Sequence, residues 1–366
     1  MQNLLSVIHL KKYFPMAKKS IFQRERSFLR ANDDISLDIK EGETFGLVGE
    51  SGCGKSTFGR TLLQLYPQTE GKTLYYGRNL RDFMPEYAKK LPAEGEEFAD
   101  GGIDLTRLTG KELRALRKDL QIIFQDPYSS LDPRMTVGQI IEEGVATHRF
   151  FKKGSAEMRQ YVLKVMKDCG LQEFMLQRYP HQFSGGQRQR ICIARALAVK
   201  PKFIVCDECV SALDVSIQSQ ILNLLSHLKE KEGLTYLFIS HDLAVVRYIS
   251  DRIGVMYLGK IVEWGSAKEI FDNPRHPYTI ALISAIPTQE KTENAESRIF
   301  LQGQLPSAVS PPQGCPFHTR CFMAQKCCQR IPAPIVEVQK GHFVACHFAE
   351  KSTEEKRKLA YHQNYN

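Results

Sequence analysis

The sequence lacks a long apolar run, since no stretch approaches the roughly 18 to 20 apolar residues that a membrane-spanning helix needs. Its apolar N-terminal stretch, Leu4 to Leu10, is broken by His9 and is followed by no small-residue cleavage site, which argues against a signal peptide. There is also no internal repeat, no low-complexity tract and no basic block of the kind that nucleic-acid-binding arms carry. We therefore expect a soluble, cytosolic chain.

The composition is that of a globular protein larger than one average domain. The chain has 366 residues, of which 42% are hydrophobic, and this is enough for one large domain with an appendage. Its net charge of +9 suits polyanions such as nucleotide phosphates, nucleic acid or a membrane surface, but a solvated surface rich in lysine explains it equally well. Charge alone therefore does not choose a function.

Ten cysteines would indicate a disulfide scaffold in a short secreted chain, but without a signal peptide they are expected to be reduced thiols or metal ligands. Their distribution is uneven. Half of them lie in the C-terminal part of the chain: Cys315, Cys321, Cys327, Cys328 and Cys346.

Strands and helices alternate along the chain, which predicts a parallel sheet with crossover connections. The strand at Thr44 to Gly49 leads through a glycine-rich turn into a helix from Lys55 to Leu65. Three later segments also have the pattern of strands: Phe203 to Cys206, Tyr236 to Ser240 and Ile253 to Leu258.

Two segments depart from this alternation. Residues 127–197 are predicted to form a helical subdomain, in which one helix runs from Ser155 to Cys169 and stops at Gly170. Residues 78–102 contain prolines, glycines and an acidic cluster, and we expect them to be an exposed loop insertion.

The glycine-rich turn matches the phosphate-loop pattern G-x-x-x-x-G-K-[ST], and it lies where that motif works, between a strand and a helix. Its backbone N–H groups would wrap the phosphates of ATP, Lys55 would reach the β and γ phosphates, and Ser56 would take Mg²⁺. The predicted nucleotide-binding residues here are Gly49, Glu50, Ser51, Gly52, Cys53, Gly54, Lys55, Ser56 and Thr57.

A second strand, starting at Phe203, ends in the acidic pair Asp207 and Glu208. Charge at the end of an apolar strand is costly unless a metal and a reaction use it. We expect Asp207 to hold Mg²⁺ through water and Glu208 to polarise the attacking water.

The segment from Phe183 to Gln187 resembles the signature motif of ATP-binding cassette (ABC) ATPases, with Phe183 in place of the commoner leucine. In that family the motif caps the γ-phosphate of ATP bound to the opposite subunit. Small residues ahead of a helix offer free N–H donors and a positive dipole to an anion. The resemblance assigns this role to Ser184, Gly185, Gly186 and Gln187.

The same resemblance supplies further site residues. It implies that Gln125 senses Mg²⁺ and the nucleophilic water, that Asp214 joins the two active sites, and that His241 contacts the γ-phosphate. An aromatic ring upstream of the core stacks on adenine in this family. Tyr13 and Phe14 both qualify, and we favour Phe14.

The implied fold is an α/β phosphate-loop NTPase core with a parallel sheet, an N-terminal antiparallel β region and a helical subdomain. We place this ABC ATPase domain at residues 1–265 and a C-terminal extension at residues 266–366.

The run QDPYSSLDPRM from Gln125 and the HPYT sequence from His276 narrow the resemblance to the ATPase subunits of oligopeptide/dipeptide importers. This implies a peripheral protein on the cytoplasmic face of the membrane. Its partners would be a second ATPase, expected to be a paralogue, two permeases and an extracytoplasmic binding protein, with no nucleic acid. The alternative is a non-transport ABC ATPase acting on nucleic acid or ribosomes, although such proteins carry long coiled coils or two cassettes that this chain lacks.

The cysteine-rich segment at residues 315–346 resembles the tail motif that binds a 4Fe–4S cluster in that branch. The implied ligands are Cys315, Cys321, Cys328 and Cys346, with Cys327 as an alternative to Cys328. The alternatives are a Zn²⁺ site and reduced cysteines that bind no metal. Because the tail is distant in sequence from the ATP motifs, we expect no catalytic role for it.

Overall fold

The structure, a computed structural model, describes residues 2–17, 26–78, 102–286 and 298–364. The insertion predicted at residues 78–102 falls outside these ranges except for its two end residues. Within the described ranges, every helix is too short or too polar to pass through a bilayer.

The twelve strands of the described residues belong to two sheets. In chain order they are β1 (Asn3–Pro15), β2 (Phe28–Lys40), β3 (Thr44–Val48), β4 (Glu70–Tyr75), β5 (Ile103–Asp104), β6 (Leu120–Ile123), β7 (Phe203–Asp207), β8 (Thr235–Ile239), β9 (Arg252–Tyr257), β10 (Lys260–Ser266), β11 (Ile335–Gln339) and β12 (His342–Ala345).

The larger sheet has the order β11-β12-β10-β9-β3-β8-β7-β6. Its five strands from β9 to β6 run parallel, which confirms the predicted parallel core. Every residue of β3, β7 and β8 is buried, because helices cover both faces of such a sheet. The carboxyl ends of these strands therefore meet at one edge, where ligands bind in open α/β sheets.

The smaller sheet, β2-β1-β4-β5, is antiparallel throughout and confirms the predicted N-terminal β region. Its inward side chains, such as Leu5 and Leu37, share a hydrophobic core with Phe45 of the large sheet and with Phe58. This packing fixes the N-terminal strands against the helix that follows the phosphate loop.

Helices fill the connections between the strands. They are α1 (Lys55–Leu62), α2 (Gly110–Leu116), α3 (Val137–Thr147), α4 (Ala156–Asp168), α5 (Gly185–Leu197), α6 (Val215–Glu232), α7 (Leu243–Ile249), α8 (Ala267–Asp272), α9 (Pro277–Ser284), α10 (Lys326–Arg330) and α11 (Thr353–Asn364).

The helix predicted from Ser155 to Cys169 is confirmed as α4. Ser155 is its N-cap, and its hydroxyl accepts a hydrogen bond from the backbone N–H of Met158 at 3.2 Å. Gly170 follows with φ +72°, the left-handed conformation that ends helices. Together with α3 and α5, α4 forms the helical part of residues 127–197.

The C-terminal hairpin of β11 and β12 extends the large sheet. β12 pairs antiparallel with β10, and the ring of Phe343 stacks on Trp264 with 4.9 Å between centroids. No strand was predicted here from the sequence, although the residues of β11, IVEVQ, alternate as those of a strand do. The extension is thus continuous with the core sheet.

Candidate active site

A cleft of about 270 Å³ opens over the phosphate loop, where β3 ends and α1 begins. Its floor is formed by the loop residues from Ser51 to Thr57. Lys55 is nearly buried, and its Nζ donates to the carbonyl oxygens of Gly49 at 2.8 Å and Glu50 at 3.0 Å. The ammonium group is therefore held beside the loop, in reach of an anion bound there.

Close backbone packing explains one of the loop glycines. Gly54 has φ +108°, and a Cβ at this position would lie 2.1 Å from the carbonyl oxygen of Ala31. A side chain would push the loop away from β2, so only glycine maintains the curve that presents consecutive N–H groups to phosphate.

Asp207 and Ser56 provide an oxygen-rich edge of the cleft. The Ser56 hydroxyl donates to Asp207 Oδ1 at 2.6 Å, and Arg60 donates to Oδ2 at 3.2 Å. Asp207 is fully buried at the end of β7. Mg²⁺ is a hard cation that binds one or two such oxygens together with water and substrate phosphates, so this pair fits it.

Glu208 is the centre of the predicted catalytic group. Gln125 Nε2 donates to Glu208 Oε2 at 3.0 Å, and His241 Nδ1 lies 3.4 Å from the same oxygen. These side chains follow three neighbouring strands, β6, β7 and β8, whose ends meet at this edge. Glu208 also has φ +49°, a strained backbone conformation that is common at functional sites.

Phe14, the residue predicted to stack on adenine, lines the cleft. The hydroxyl of Tyr13 instead donates to Asp33, so the two candidate rings have different surroundings. The remaining lining residues were not identified from the sequence. They are Leu29, Arg30, Ala31, Leu258, Gly259 and Ala308.

The segment from Ser184 to Gln187 and the residue Asp214 are not part of this lining in the described chain. Ser184 is the exposed N-cap of α5 and forms a capping box with Gln187. Asp214 caps α6 by accepting from the backbone N–H of Ile217 at 2.9 Å. A Cβ on Gly186 would lie 2.4 Å from Ile217, so this glycine lets α5 and α6 approach. Ser184 and Gly185 at the start of α5 are exposed.

The C-terminal extension contacts the phosphate loop, although the two are distant in sequence. The backbone N–H of Glu50 donates to the hydroxyl of Tyr278 at 2.9 Å, and Arg320 Nη1 donates to both carboxylate oxygens of Glu50 at 3.0 and 2.9 Å. The backbone N–H of Arg30 also donates to the carbonyl oxygen of Ala308 at 3.0 Å. The HPYT motif was the available signal, although no role could be assigned to it.

The tail cysteines share a second, small pocket. Cys315, Cys321, Cys328 and Cys346 line it together with apolar side chains and three histidines, while Cys327 lies beside it with its Sγ 4.0 Å from that of Cys328. Burial raises the pKa of Cys315 to about 11. Burial also raises the pKa of the other three thiols that line the pocket.

The four cysteines line one pocket, but in the described part of the chain they are not arranged as a metal site. There, no group of three or more His, Cys, Asp or Glu side chains is arranged so that it could hold a metal ion. The expectation of a 4Fe–4S cluster or of Zn²⁺ therefore rests on the sequence motif and on the shared pocket.

Two family models match the chain. Residues 32–211 match the ABC transporter family, and residues 262–328 match the C-terminal region of oligopeptide/dipeptide transporters. The first match covers the phosphate loop, the acidic strand end and the helical segment. The second covers the HPYT motif and four of the five tail cysteines.

Solved structures resemble the cassette. A dimeric ATP-binding cassette, MJ0796, in a post-hydrolysis state bound to ADP and phosphate is 28% identical with a TM-score of 0.58, and the match covers 72% of this chain and 98% of that one. The cbiO1 protein from Clostridium perfringens is 26% identical with a TM-score of 0.57, over 74% and 92% of the two chains.

Curated relatives match nearly from end to end. The oligopeptide transport ATP-binding protein AppF of Bacillus subtilis is 46% identical over 94% of this chain and 97% of its own length. The oligopeptide transport ATP-binding protein OppF of Escherichia coli is 45% identical over 94% and 95%. Because such identity extends through both the cassette and the extension, the chain belongs to the family of ABC transporter ATPases, in the branch of the oligopeptide transport ATP-binding proteins.

Proposed function

We propose that this chain is one ATPase subunit of a membrane importer for peptides, in which ATP binding and hydrolysis drive a change in the permease. The observation that carries the proposal is the meeting of Gln125, Glu208 and His241 beside an intact phosphate loop. The oligopeptide transporter C-terminal region and the names of the relatives support peptides as the cargo.

The chain's own residues would bind and orient ATP. The loop N–H groups and Lys55 hold the phosphates, and Phe14 stacks on the adenine. Asp207 and Ser56 would hold Mg²⁺, which supplies charge neutralisation at the phosphates. Glu208 orients and polarises the attacking water, and Gln125 and His241 hold the Glu208 carboxylate in place. Positioning and charge would provide most of the catalytic effect.

A second ATPase would complete each site. The N-terminus of α5, from Ser184 to Gln187, lies outside the chain's own cleft and is proposed to cap the γ-phosphate of ATP on the partner. Asp214 would connect the two ATP sites of the paired subunits. The dimeric state of the similar MJ0796 cassette supports this arrangement. We propose that the partner is a paralogue.

Similarity to the oligopeptide transport ATP-binding proteins suggests the remaining partners. We propose two permeases, an extracytoplasmic binding protein and a location on the cytoplasmic face of the membrane, without a role for nucleic acid. The transport names of the relatives disfavour action on nucleic acid or ribosomes. Motion of the helical segment would reach the permease through the surface from Gln125 to Met135.

For the tail, we propose a 4Fe–4S cluster held by Cys315, Cys321, Cys328 and Cys346, with Zn²⁺ as the alternative. Four thiol groups around one largely apolar pocket match the donors that such a cluster needs. Protein purified without oxygen should carry about four irons and about four sulfides per chain, the stoichiometry of such a cluster. Zinc in their place, or thiols free of metal, would contradict the cluster.

Glu208→Gln tests the ATPase mechanism. The amide keeps the shape of the side chain but cannot polarise water, so we expect ATP binding to persist and turnover to fall by at least about 100-fold. Phosphate release and ATP binding should be measured together, with the exposed Glu230→Gln on α6 as the matched control. Normal phosphate release by the Glu208 variant would remove this residue from the base role.

A further inference from the structure

The C-terminal extension contacts Glu50 at two points. The hydroxyl of Tyr278 accepts the backbone N–H, and Arg320 binds the carboxylate. We propose that the extension positions the phosphate loop for ATP, with Tyr278 fixing the Glu50 backbone and Arg320 holding and neutralising its carboxylate. This inference rests on the proposed ATP site. It makes Arg320 a positioning residue, since no reacting atom contacts it.

Tyr278 is placed rigidly enough for this task. It is fully buried, and its ring packs on Tyr257 with 4.8 Å and on Phe317 with 5.4 Å between centroids. Its backbone N–H donates to His276 Nδ1 at 3.1 Å, which fixes the start of α9. The hydroxyl therefore has little freedom to follow the loop, and the loop is held to it.

Arg320 forms a largely buried contact rather than an ordinary surface ion pair. Its side chain is 9% exposed and that of Glu50 is 28% exposed. The guanidinium also lies over the ring of Tyr257, 5.9 Å from its centroid. Removing one partner of an ion pair costs more stability when the pair is largely shielded from water than when it is exposed.

Glu50 links the extension to Lys55, the lysine that is proposed to bind phosphate. The carbonyl oxygen of Glu50 accepts from Lys55 Nζ at 3.0 Å, so Glu50 contacts both the extension and the lysine. Without Arg320, an unpaired carboxylate would stand on a loop that must attract phosphate. Both the loop geometry and the local charge would then oppose ATP binding.

The first experiment measures ATP affinity of the full chain in the presence of Mg²⁺. Arg320→Ala should raise the Kd for ATP about tenfold, and Arg320→Lys should raise it less because the charge is kept. Arg330→Ala, an exposed arginine of the same extension, is the matched control and should leave the Kd unchanged. At saturating ATP, kcat of Arg320→Ala should stay within about twofold of wild type, since a positioning defect in binding appears in KM.

The second experiment separates a specific contact from general damage to the tail. Adding Glu50→Gln to Arg320→Ala removes the unpaired carboxylate, so most of the lost affinity should return. A change in the loop cannot repair a damaged tail, and such recovery would therefore require the proposed contact. The proposal is overturned if Arg320→Ala binds ATP like wild type, or if the double variant binds as weakly as Arg320→Ala.

A Lys55→Ala variant distinguishes failure of the inference from failure of the ATP site. If Lys55→Ala binds ATP as tightly as wild type, the phosphate-loop site is wrong and the inference falls with it. If Lys55→Ala loses ATP binding while Arg320→Ala does not, the ATP site stands and only the role of the extension is overturned.

Discussion

Glu263 and His342 form a fully buried contact that joins the C-terminal hairpin to the core sheet. The carboxylate of Glu263 accepts from His342 Nε2 at 2.8 Å, and it also accepts from the backbone N–H groups of Arg275 at 2.6 Å and His276 at 2.8 Å. The two side chains are 0% and 1% exposed. His342→Ala would leave this carboxylate buried with one donor fewer.

The loss of stability in His342→Ala has two contributions. Losing a hydrogen bond to a buried charged acceptor costs about 1.5 to 3 kcal/mol. Losing the packing of the buried imidazole adds about 1 to 2 kcal/mol. We therefore expect His342→Ala to lower the free energy of unfolding by about 2.5 to 5 kcal/mol.

Urea unfolding measures this difference through the midpoint at a constant m-value. His9→Ala is the matched control, because His9 Nδ1 lies 2.7 Å from Asp34 in a contact whose side chains are 72% and 49% exposed. Exposed pairs contribute less than about 1 kcal/mol. If His342→Ala shifts the midpoint no more than His9→Ala does, the buried contact does not anchor the hairpin.

Two further predictions concern the phosphate loop and the helical segment. Gly54→Ala should abolish ATP binding, because its Cβ would overlap Ala31. Gly52→Ala has φ +80° and no atom within 4 Å of its Cβ, so it should cost only about 1 kcal/mol of stability. ATP titration and thermal unfolding of both variants test these expectations. Ser155→Ala removes the N-cap of α4 and should lower the free energy of unfolding by about 1 kcal/mol in urea unfolding, so an unchanged midpoint would contradict the capping role.

Sequence reasoning succeeded where the determinants are local. The strand predicted from Phe203 to Cys206 is observed as Phe203–Asp207, because a short strand buried on both faces is apolar up to the functional residue at its end. Ser155 and Gly170 marked both ends of α4 for the same reason, since each end of a helix is set by its own residues.

The sequence could not predict contacts that depend on distant pairing. Glu50 and Arg320 are 270 residues apart, and neither has a local pattern that identifies the other. β11 was missed although its sequence, IVEVQ, has the alternation that is typical of a strand. Its partner is β12, which pairs in turn with the edge of β10, and no local motif encodes this order.

The position of β12 beside β10 also constrains the order in which the protein folds. β10 ends at Ser266, but the strand that covers its edge begins at His342, so translation must pass through most of the extension before the sheet is complete. Until then β10 is an open edge that carries the carboxylate of Glu263. Unpaired edges of this kind favour association between chains, so the newly made chain is open to such association at β10 until β12 has been synthesised.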